Sequence, residues 1–332
     1  MSVRSTGAAR RYGPALGTAA VAVVWGTSGV LVRGSTLSAV EIAFGRAAVG
    51  GVALWCWVAV TARGRDRAGV RGRGTRQAWA LLWSGVLLAA HWLTFVMALR
   101  RAPIGTVLIG IYLAPLAIAG LARGGVHERV TRPQLMALAL ALLGSAFVLR
   151  PGRTGGPDGL ALIAVSALAY AGATLASKRA LRTVPAVQVA TGQLVIVAVV
   201  LLPGLVFQST QATVPGPGDL LIVVSLGLVY SALALLAYLA FLKRLPVMTS
   251  GILLYLEPVS ALFCGWVFLG EHPVPLTWVG VGLVLVAGFL VSRESGAVVH
   301  RATPDMTPSD TVNSPCAITD SRSEDVRSPK DR

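Results

Sequence analysis

Charged residues are scarce in this sequence of 332 residues. They make up 13% of it, and Asp and Glu together number only 14, whereas ordinary soluble domains carry roughly 25% charged residues. The shortage is greatest inside long apolar blocks, most of which hold no charged side chain over about 20 residues, the length of a membrane-spanning helix. We therefore expect an integral membrane protein.

Several kinds of chemical motif are also absent from the sequence. The three cysteines, Cys56, Cys264 and Cys316, have neither disulfide nor metal spacing. No G-x-x-x-x-G-K-[ST] phosphate loop occurs, which argues against ATP-driven transport by this chain alone. The net charge of +15 lies in short loops and not on one basic face, so we expect no nucleic-acid partner. We expect no cofactor and no metal; the expected partners are a small-molecule substrate and the lipid bilayer, with a homodimer left open.

Ten apolar stretches of the sequence are near the length of a membrane-spanning helix, about 20 residues. Unbroken runs of this length argue against the strands of a membrane barrel, which alternate over about ten residues. We therefore predict an all-α integral membrane fold with ten transmembrane helices. The predicted spans are 14–32, 39–61, 78–99, 104–122, 133–149, 159–177, 185–207, 220–242, 249–268 and 274–292.

The sequence repeats itself at an offset of 143 residues. A repeat at a fixed offset indicates a duplicated architecture. Each copy holds five predicted spans, and this odd number makes the second copy enter the membrane from the opposite face. We therefore predict two inverted five-helix repeats, as in many secondary transporters. The matching pairs are Pro103 with Pro246, Tyr112 with Tyr255, Pro115 with Pro258, and Glu128 with Glu271.

Basic residues in the loops indicate how the chain is oriented, because short cytoplasmic loops are enriched in Lys and Arg. With the N-terminus inside, the inside segments before the tail hold seventeen Lys and Arg residues and the outside segments hold five. The loop at 62–77 holds six arginines, and its counterpart at 208–219 holds no Lys or Arg. We therefore predict a multi-pass protein of the cell (plasma or inner) membrane with cytoplasmic N- and C-termini.

These boundaries divide the chain into five segments. The last is rich in Ser, Thr, Asp and Pro, a composition typical of disorder. The segments are a cytoplasmic N-terminus (1–13), a first repeat (14–149), a linker (150–158), a second repeat (159–292) and a disordered cytoplasmic tail (293–332).

Several short motifs stand in register with the predicted spans: Trp25-Gly26, Phe44-Gly45-Arg46, Leu113-x-Pro115, Leu256-x-Pro258 and Leu269-Gly270-Glu271. Together they resemble the EamA family of the drug/metabolite transporter superfamily, over about residues 15–149 and 159–292. The first copy departs from the last motif, since Val126-His127-Glu128 keeps only the glutamate.

The resemblance implies an inner-membrane carrier of small metabolites, often an exporter, that works by alternating access. We accordingly predict a secondary active transporter, not an enzyme, that exports an amino acid or related compound, or an amphipathic drug-like cation. One alternative is a membrane-embedded enzyme acting on a lipid or prenyl substrate, which requires Glu41, His91 and Glu257 to converge in space. Another is a sensor or scaffold that signals through the tail.

Glu257 is the sharpest candidate for a functional residue. It lies about eight residues into its span, or roughly 12 Å at 1.5 Å per residue, close to the bilayer midplane. A carboxylate there is costly unless it faces a cavity or a partner. Its neighbour Pro258 predicts a helix break, and carriers bind substrates at such breaks. Pro115 marks the matching break in the first copy, where Ala114 replaces the glutamate. Glu257 is a candidate for substrate binding and proton coupling, with a structural hydrogen bond as the alternative.

Three other ionisable side chains lie inside predicted spans. Arg46 is suited to binding a substrate carboxylate, or alternatively forms a structural ion pair or extends to the membrane surface. His91 is a candidate for substrate binding and coupling, because histidine exchanges a proton near neutral pH, or it makes one interhelical hydrogen bond. Glu41 is a candidate for coupling, with a structural role near the interface as the alternative.

Three aromatic side chains near the midplane, Trp25, Tyr170 and Tyr230, are candidates for lining the substrate site. Aromatic rings bind cations and apolar groups. Trp25 and Tyr170 occupy matching positions in the two copies. The alternative for each is helix packing.

Overall fold

The structure is a computed structural model of the chain. It describes residues 3–61, 75–99, 101–102, 104–122, 130–149, 156–208, 215–270 and 272–302. These residues form helices and short connections, with no strand among them.

The described chain is built from α-helices and one π-helical segment. In order they are α1 (Val3–Arg33), α2 (Ala39–Thr61), α3 (Thr75–Leu99), α4 (Ile104–Ile111), α5 (Ala114–Ala122), α6 (Arg132–Leu149), α7 (Gly156–Ala180), α8 (Ala186–Gln208), α9 (Pro217–Ser225), the π segment (Leu226–Leu233), α10 (Ala234–Leu242), α11 (Val247–Leu253), α12 (Leu256–Leu269) and α13 (Pro275–Ala302).

Eight helical stretches among the described residues are long and apolar enough to cross a membrane. One of them runs from α9 through the π segment to α10, and another joins α11 to α12. The interrupted pair α4 and α5 adds a shorter apolar stretch, Val107–Ile118. The protein is therefore an all-helical, multi-pass membrane protein.

Each apolar stretch predicted from the sequence coincides with helical residues, and most bounds agree within a few positions. The first helix begins earlier than expected, at Val3, and the last continues past residue 292 to Ala302. Glu128, Glu271 and the rest of the tail, 303–332, lie outside the described residues.

Two helical stretches are interrupted close to a proline. α4 gives way to α5 across residues 112–113, and α11 gives way to α12 across 254–255. The sequence predicts breaks at Pro115 and Pro258, and both prolines lie in the first turn of the helix that follows the break. A proline crowds the carbonyl four residues before it, so the chain breaks one turn earlier. In a first turn its missing N–H costs little, because N–H groups there have no intrahelical partner.

The π segment interrupts the stretch between α9 and α10. The backbone N–H of Ala234 bonds to the carbonyl of Val229, five residues back. Such wide turns are rare and are frequent at functional sites. The segment packs against α2, where a Cβ on Gly227 would lie 2.6 Å from the side chain of Val49.

The helices pack mainly in pairs drawn from the two halves of the chain: α6 with α13, α2 with α8, α3 with α7, and α1 with α12 and α10. Small residues allow the closest approach. A Cβ on Gly144 would lie 2.6 Å from the carbonyl oxygen of Gly280, and a Cβ on Gly280 would lie 2.5 Å from that of Gly144. Glycine at such contacts is typical of helix packing in membranes.

Two polar contacts tie the connections between helices to neighbouring elements. Lys178, in the last turn of α7, donates hydrogen bonds to the carbonyl oxygens of Leu242 and Leu245 at the end of α10. Asp219, in the first turn of α9, accepts hydrogen bonds from the backbone N–H of Thr36 at 2.9 Å and from its hydroxyl at 2.8 Å. The turn between α10 and α11 and the loop between α1 and α2 are thereby fixed.

Candidate functional site

The two helix breaks contact one another. Tyr112 and Tyr255, which match in the sequence repeat, stand with ring centroids 4.9 Å apart, and the Tyr255 hydroxyl donates to the Tyr112 carbonyl. Beside them, a Cβ on Gly251 would lie 3.1 Å from the ring of Pro115. Equivalent points of the two copies therefore meet at one place.

Glu257 lies at this junction, in the first turn of α12. Its backbone N–H bonds to the carbonyl of Leu254 at 2.9 Å, which closes the turn across the break. The carboxylate lies beside the Tyr112 hydroxyl and is attracted by the guanidinium of Arg46. The Tyr112 hydroxyl is buried and does not complete a hydrogen bond with a described residue. The carboxylate and the hydroxyl therefore both have bonding capacity left.

Five aromatic side chains form a linked group at this junction, and we call them the aromatic cluster: Trp25, Tyr112, Tyr170, Tyr238 and Tyr255. Tyr112 and Tyr170 interact with the Glu257 carboxylate. Tyr170 also interacts with Tyr238. The rings of Trp25 and Tyr238 have centroids 5.3 Å apart. Helices from both halves contribute to the cluster, so it lies between the two copies.

Tyr230 supports Trp25 through the backbone. The indole N–H of Trp25 donates to the Tyr230 carbonyl at 2.9 Å. The Tyr230 hydroxyl and the Thr27 hydroxyl share a hydrogen bond of 2.8 Å. Tyr230 thus joins the π segment to α1 through both its backbone carbonyl and its side-chain hydroxyl.

Arg46 extends from α2 toward the π segment. Its Nε donates to the hydroxyl oxygen of Ser231 at 2.8 Å. Its guanidinium carbon lies 4.6 Å from the centre of the Trp92 ring, a distance at which a cation and an aromatic face attract each other. Arg46 and Glu257 attract each other without forming a direct ion pair. The site therefore holds two groups of opposite charge that interact without direct contact.

His91 lies on α3 at the edge of the aromatic cluster. Its Nδ1 is 2.9 Å from the hydroxyl oxygen of Ser166 and 3.1 Å from the Ser166 carbonyl. Its ring centroid is 5.0 Å from that of Tyr170. His91 therefore has the interhelical hydrogen bond that the sequence suggested, and it also borders the cluster.

Glu41 has a local role at the start of α2. Its carboxylate accepts from the Ser38 backbone N–H at 2.6 Å, and the Ser38 hydroxyl accepts from the Glu41 backbone N–H at 3.3 Å. This reciprocal pair is a helix capping box. Glu41 and His91 thus bond to different partners, Ser38 and Ser166.

The two halves of the chain match the same family model, that of the EamA-like transporter family, over residues 14–150 and 158–293. The chain belongs to this family. It is a membrane transporter.

The relatives of this EamA-like transporter are named as transporters or exporters. The uncharacterized transporter YwfM of Bacillus subtilis is 26% identical over 280 residues, which are 82% of this chain and 90% of YwfM. A protein of Streptantibioticus cattleyicolor named "Probable terminal-alkyne amino-acid exporter" is 30% identical over 199 residues, 59% of this chain and 66% of that relative. The threonine/homoserine exporter RhtA of Escherichia coli is 29% identical over 215 residues, 62% of this chain and 68% of RhtA.

A solved crystal structure is also similar to this EamA-like transporter. It superposes with a TM-score of 0.72 at 20% sequence identity, and the match covers 85% of this chain and 98% of the other. At that identity the likeness shows the fold alone.

Three motifs of this EamA-like transporter have clear structural roles. A Cβ on Gly26 would lie 2.3 Å from the Glu257 carbonyl oxygen, so the glycine lets α1 pass directly over the start of α12. Arg46 supplies the positive charge of the site. Gly270 ends α12 in a left-handed conformation with φ of 66°, which glycine adopts without steric cost.

Several residues of the site were not identified as functional from the sequence. Tyr112 and Tyr255 were visible as a pair in the repeat, and that pairing was the signal for their contact. Tyr238 and Trp92 had no signal beyond being aromatic. Nothing in the sequence marked Ser231 as functional, because its position facing Arg46 depends on the π segment.

Proposed function

We propose that this EamA-like transporter exports a small metabolite by alternating access and binds it at Glu257. The observation that carries the proposal is a carboxylate at the junction of two helix breaks, in contact with the aromatic cluster through Tyr112 and Tyr170. A carboxylate at the centre of a spanning helix costs roughly 2.5–3.5 kcal/mol on insertion scales. Its placement is reasonable where it meets a polar substrate or a coupling ion.

Two classes of substrate suit a carboxylate among aromatic rings. The names of two relatives favour an amino acid or a related compound, since RhtA is a threonine/homoserine exporter and the Streptantibioticus cattleyicolor protein is named for an amino acid. An amphipathic drug-like cation is the second class, because aromatic faces attract cations.

The proposed architecture is ten transmembrane helices in two inverted repeats of five. The helix contacts support this arrangement, because a contact between two helices recurs between the equivalent helices when the two copies are interchanged. α1 packs on α12 as α7 packs on α5, and α3 packs on α8 as α2 packs on the π segment. The contact between Tyr112 and Tyr255 gives the same relation at the level of side chains. Rocking of one repeat against the other then exposes the site to each side in turn.

The proposed orientation has both termini in the cytoplasm of the cell, and the loop charges support it. We propose that a proton or an exchanged solute supplies the energy for export, with Glu257 and His91 as the coupling residues. We propose no enzymatic role for the chain. A homodimer stays a prediction.

The experiment that tests this function is solute counterflow in proteoliposomes containing the purified protein. Vesicles are loaded with unlabelled threonine or homoserine, and in separate reactions with the other standard amino acids and with benzyltrimethylammonium as a cationic probe. We expect wild-type protein to accumulate the labelled form of at least one amino acid and Glu257→Gln to accumulate none. Glu41→Gln is the matched control, because it also removes one carboxylate but keeps a capping side chain, and we expect it to work normally.

Two results would contradict the proposal. If Glu257→Gln supports wild-type counterflow over the whole pH range, Glu257 is a structural residue. If wild-type protein accumulates none of the amino acids and not the cation, the transported class is wrong.

A further inference from the structure

Arg46 is the only lysine or arginine in the interior of the predicted spans, and among the described residues only its Nε–H has a hydrogen-bond partner. A guanidinium has five N–H donors. The Nε–H bonds to Ser231, and the ring of Trp92 covers one face. Its terminal nitrogens have no hydrogen-bond partner among the described residues. The four N–H donors of the two terminal nitrogens therefore remain without a protein partner among the described residues.

Free donors of a guanidinium inside a membrane protein favour one kind of ligand. A polar group left without a partner away from water is costly. The two terminal nitrogens form a planar fork that matches the two oxygens of a carboxylate. The bond to Ser231 and the stacking on Trp92 restrict the rotation of this fork. Arg46 is thus fixed in direction before any ligand arrives.

Glu257, the negatively charged group of the site, lies apart from the guanidinium of Arg46. Glu257 and Arg46 attract each other but form no ion pair, so neither neutralises the other by direct contact. Each charge occurs in only one copy of the repeat: α8, which matches α2, holds no charged residue, and Ala114 stands where the second copy has Glu257. Two separated opposite charges bind a ligand that carries both charges itself.

We propose, on the basis of the function proposed above, that the substrate is an amino acid bound in one orientation. Its carboxylate binds the terminal nitrogens of Arg46, and its ammonium group binds the carboxylate of Glu257. Ser231 and Trp92 are positioning residues that hold the guanidinium. The side chain of the substrate then lies against the aromatic cluster. An amphipathic cation lacks the carboxylate and leaves the fork of Arg46 unoccupied.

The test is equilibrium binding to the purified protein by isothermal titration calorimetry. The probes are the twenty standard amino acids and, for the tightest of them, its amide and its decarboxylated amine, which keep the ammonium group and lose the carboxylate. For wild-type protein we expect the acid to bind at least tenfold more tightly than the amide. In Arg46→Gln we expect the acid to weaken at least tenfold, while the dissociation constant of the amide changes less than twofold.

Ser231 allows the positioning role to be tested without removing the charge. We expect Ser231→Ala to reduce the preference for acid over amide several-fold, and Ser231→Thr, which keeps an acceptor hydroxyl, to restore it. Equal weakening of acid and amide in Arg46→Gln, or an unchanged preference in Ser231→Ala, would overturn the proposal while export itself stands.

The two proposals fail in different ways. If benzyltrimethylammonium, added as a further binding probe, binds and is accumulated in counterflow but none of the twenty amino acids binds, the proposed binding of an amino acid between Arg46 and Glu257 is wrong, while export of cations by this protein stands. If neither class binds or is transported, both proposals are wrong.

Discussion

Replacing Gly26 with alanine adds a methyl group where α1 crosses α12. The new Cβ would lie 1.8 Å from the Ser260 hydroxyl oxygen and 2.3 Å from the Glu257 carbonyl oxygen. Rotation of Ser260 relieves the first contact, but it sacrifices that hydroxyl's bond to the Val23 carbonyl at 2.9 Å. The second contact is with backbone, so only a separation of the two helices relieves it.

The magnitude of the effect of Gly26→Ala follows from these contacts. Overpacking a tight interface costs about 1–3 kcal/mol, and losing the Ser260 hydrogen bond adds about 0.5–1.5 kcal/mol. The higher helix propensity of alanine offsets about 0.5–1 kcal/mol of this. We expect the free energy of unfolding to fall by roughly 1–3 kcal/mol. Substrate binding should weaken too, since α12 carries the carboxylate of Glu257.

The assay is reversible unfolding of the purified protein in mixed micelles, followed by circular dichroism. Gly29→Ala is the matched control, because it lies one turn further along α1 and no atom outside its own helix lies within 4 Å of the new Cβ. We expect Gly29→Ala to be neutral or slightly stabilising. Equal stability of Gly26→Ala and Gly29→Ala would refute the close crossing of α1 over α12.

Three further predictions use the same unfolding assay. Gly144→Ala should lower the free energy of unfolding by about 1–3 kcal/mol, because its Cβ would meet a backbone carbonyl of α13. Gly282→Ala has open space around it and should leave the free energy of unfolding unchanged. Equal losses in the two variants would contradict the contact between Gly144 and α13. Lys178→Met should lower the free energy of unfolding by about 1.5–3 kcal/mol, because it removes the charged hydrogen bonds to the end of α10. Lys243→Met, at an exposed position just after α10, should lower it by less than a third of that amount. Asp219→Ala should have a lower free energy of unfolding than Asp219→Asn, which keeps one acceptor oxygen for Thr36. The reverse order would show that this carboxylate does not hold the α1–α2 loop.

Much of the fold is predictable from the sequence because membrane helices leave strong local signals. Runs of about 20 apolar residues mark the spans, and the repeat offset of 143 residues is enough to pair Tyr112 with Tyr255. The breaks lie about one turn before Pro115 and Pro258, since a proline frees the carbonyl one turn earlier, which the sequence predicts near Leu254. The spacing Ser38-x-x-Glu41 is a capping-box signature, so the role of Glu41 was also readable from the sequence.

The arrangement of the site is less predictable because it depends on contacts between distant residues. Ser231 is 185 residues from Arg46, and the π segment that turns it toward α2 has an ordinary apolar sequence, Leu226–Leu233. The partner of His91, Ser166, is likewise 75 residues away. The periodicity of apolar residues predicts which face of a helix is buried, but it does not predict which other helix packs against that face.

The central claim is that the transported solute binds at Glu257. Its most direct test is whether the solute protects this carboxylate from chemical modification. Purified protein is treated with a membrane-permeant carbodiimide at increasing concentrations of the solute identified by counterflow, and modification of Glu257 is quantified by mass spectrometry. We predict that the solute protects Glu257 and that half-protection occurs at the concentration that half-saturates counterflow. Undiminished modification of Glu257 at saturating solute would contradict the account.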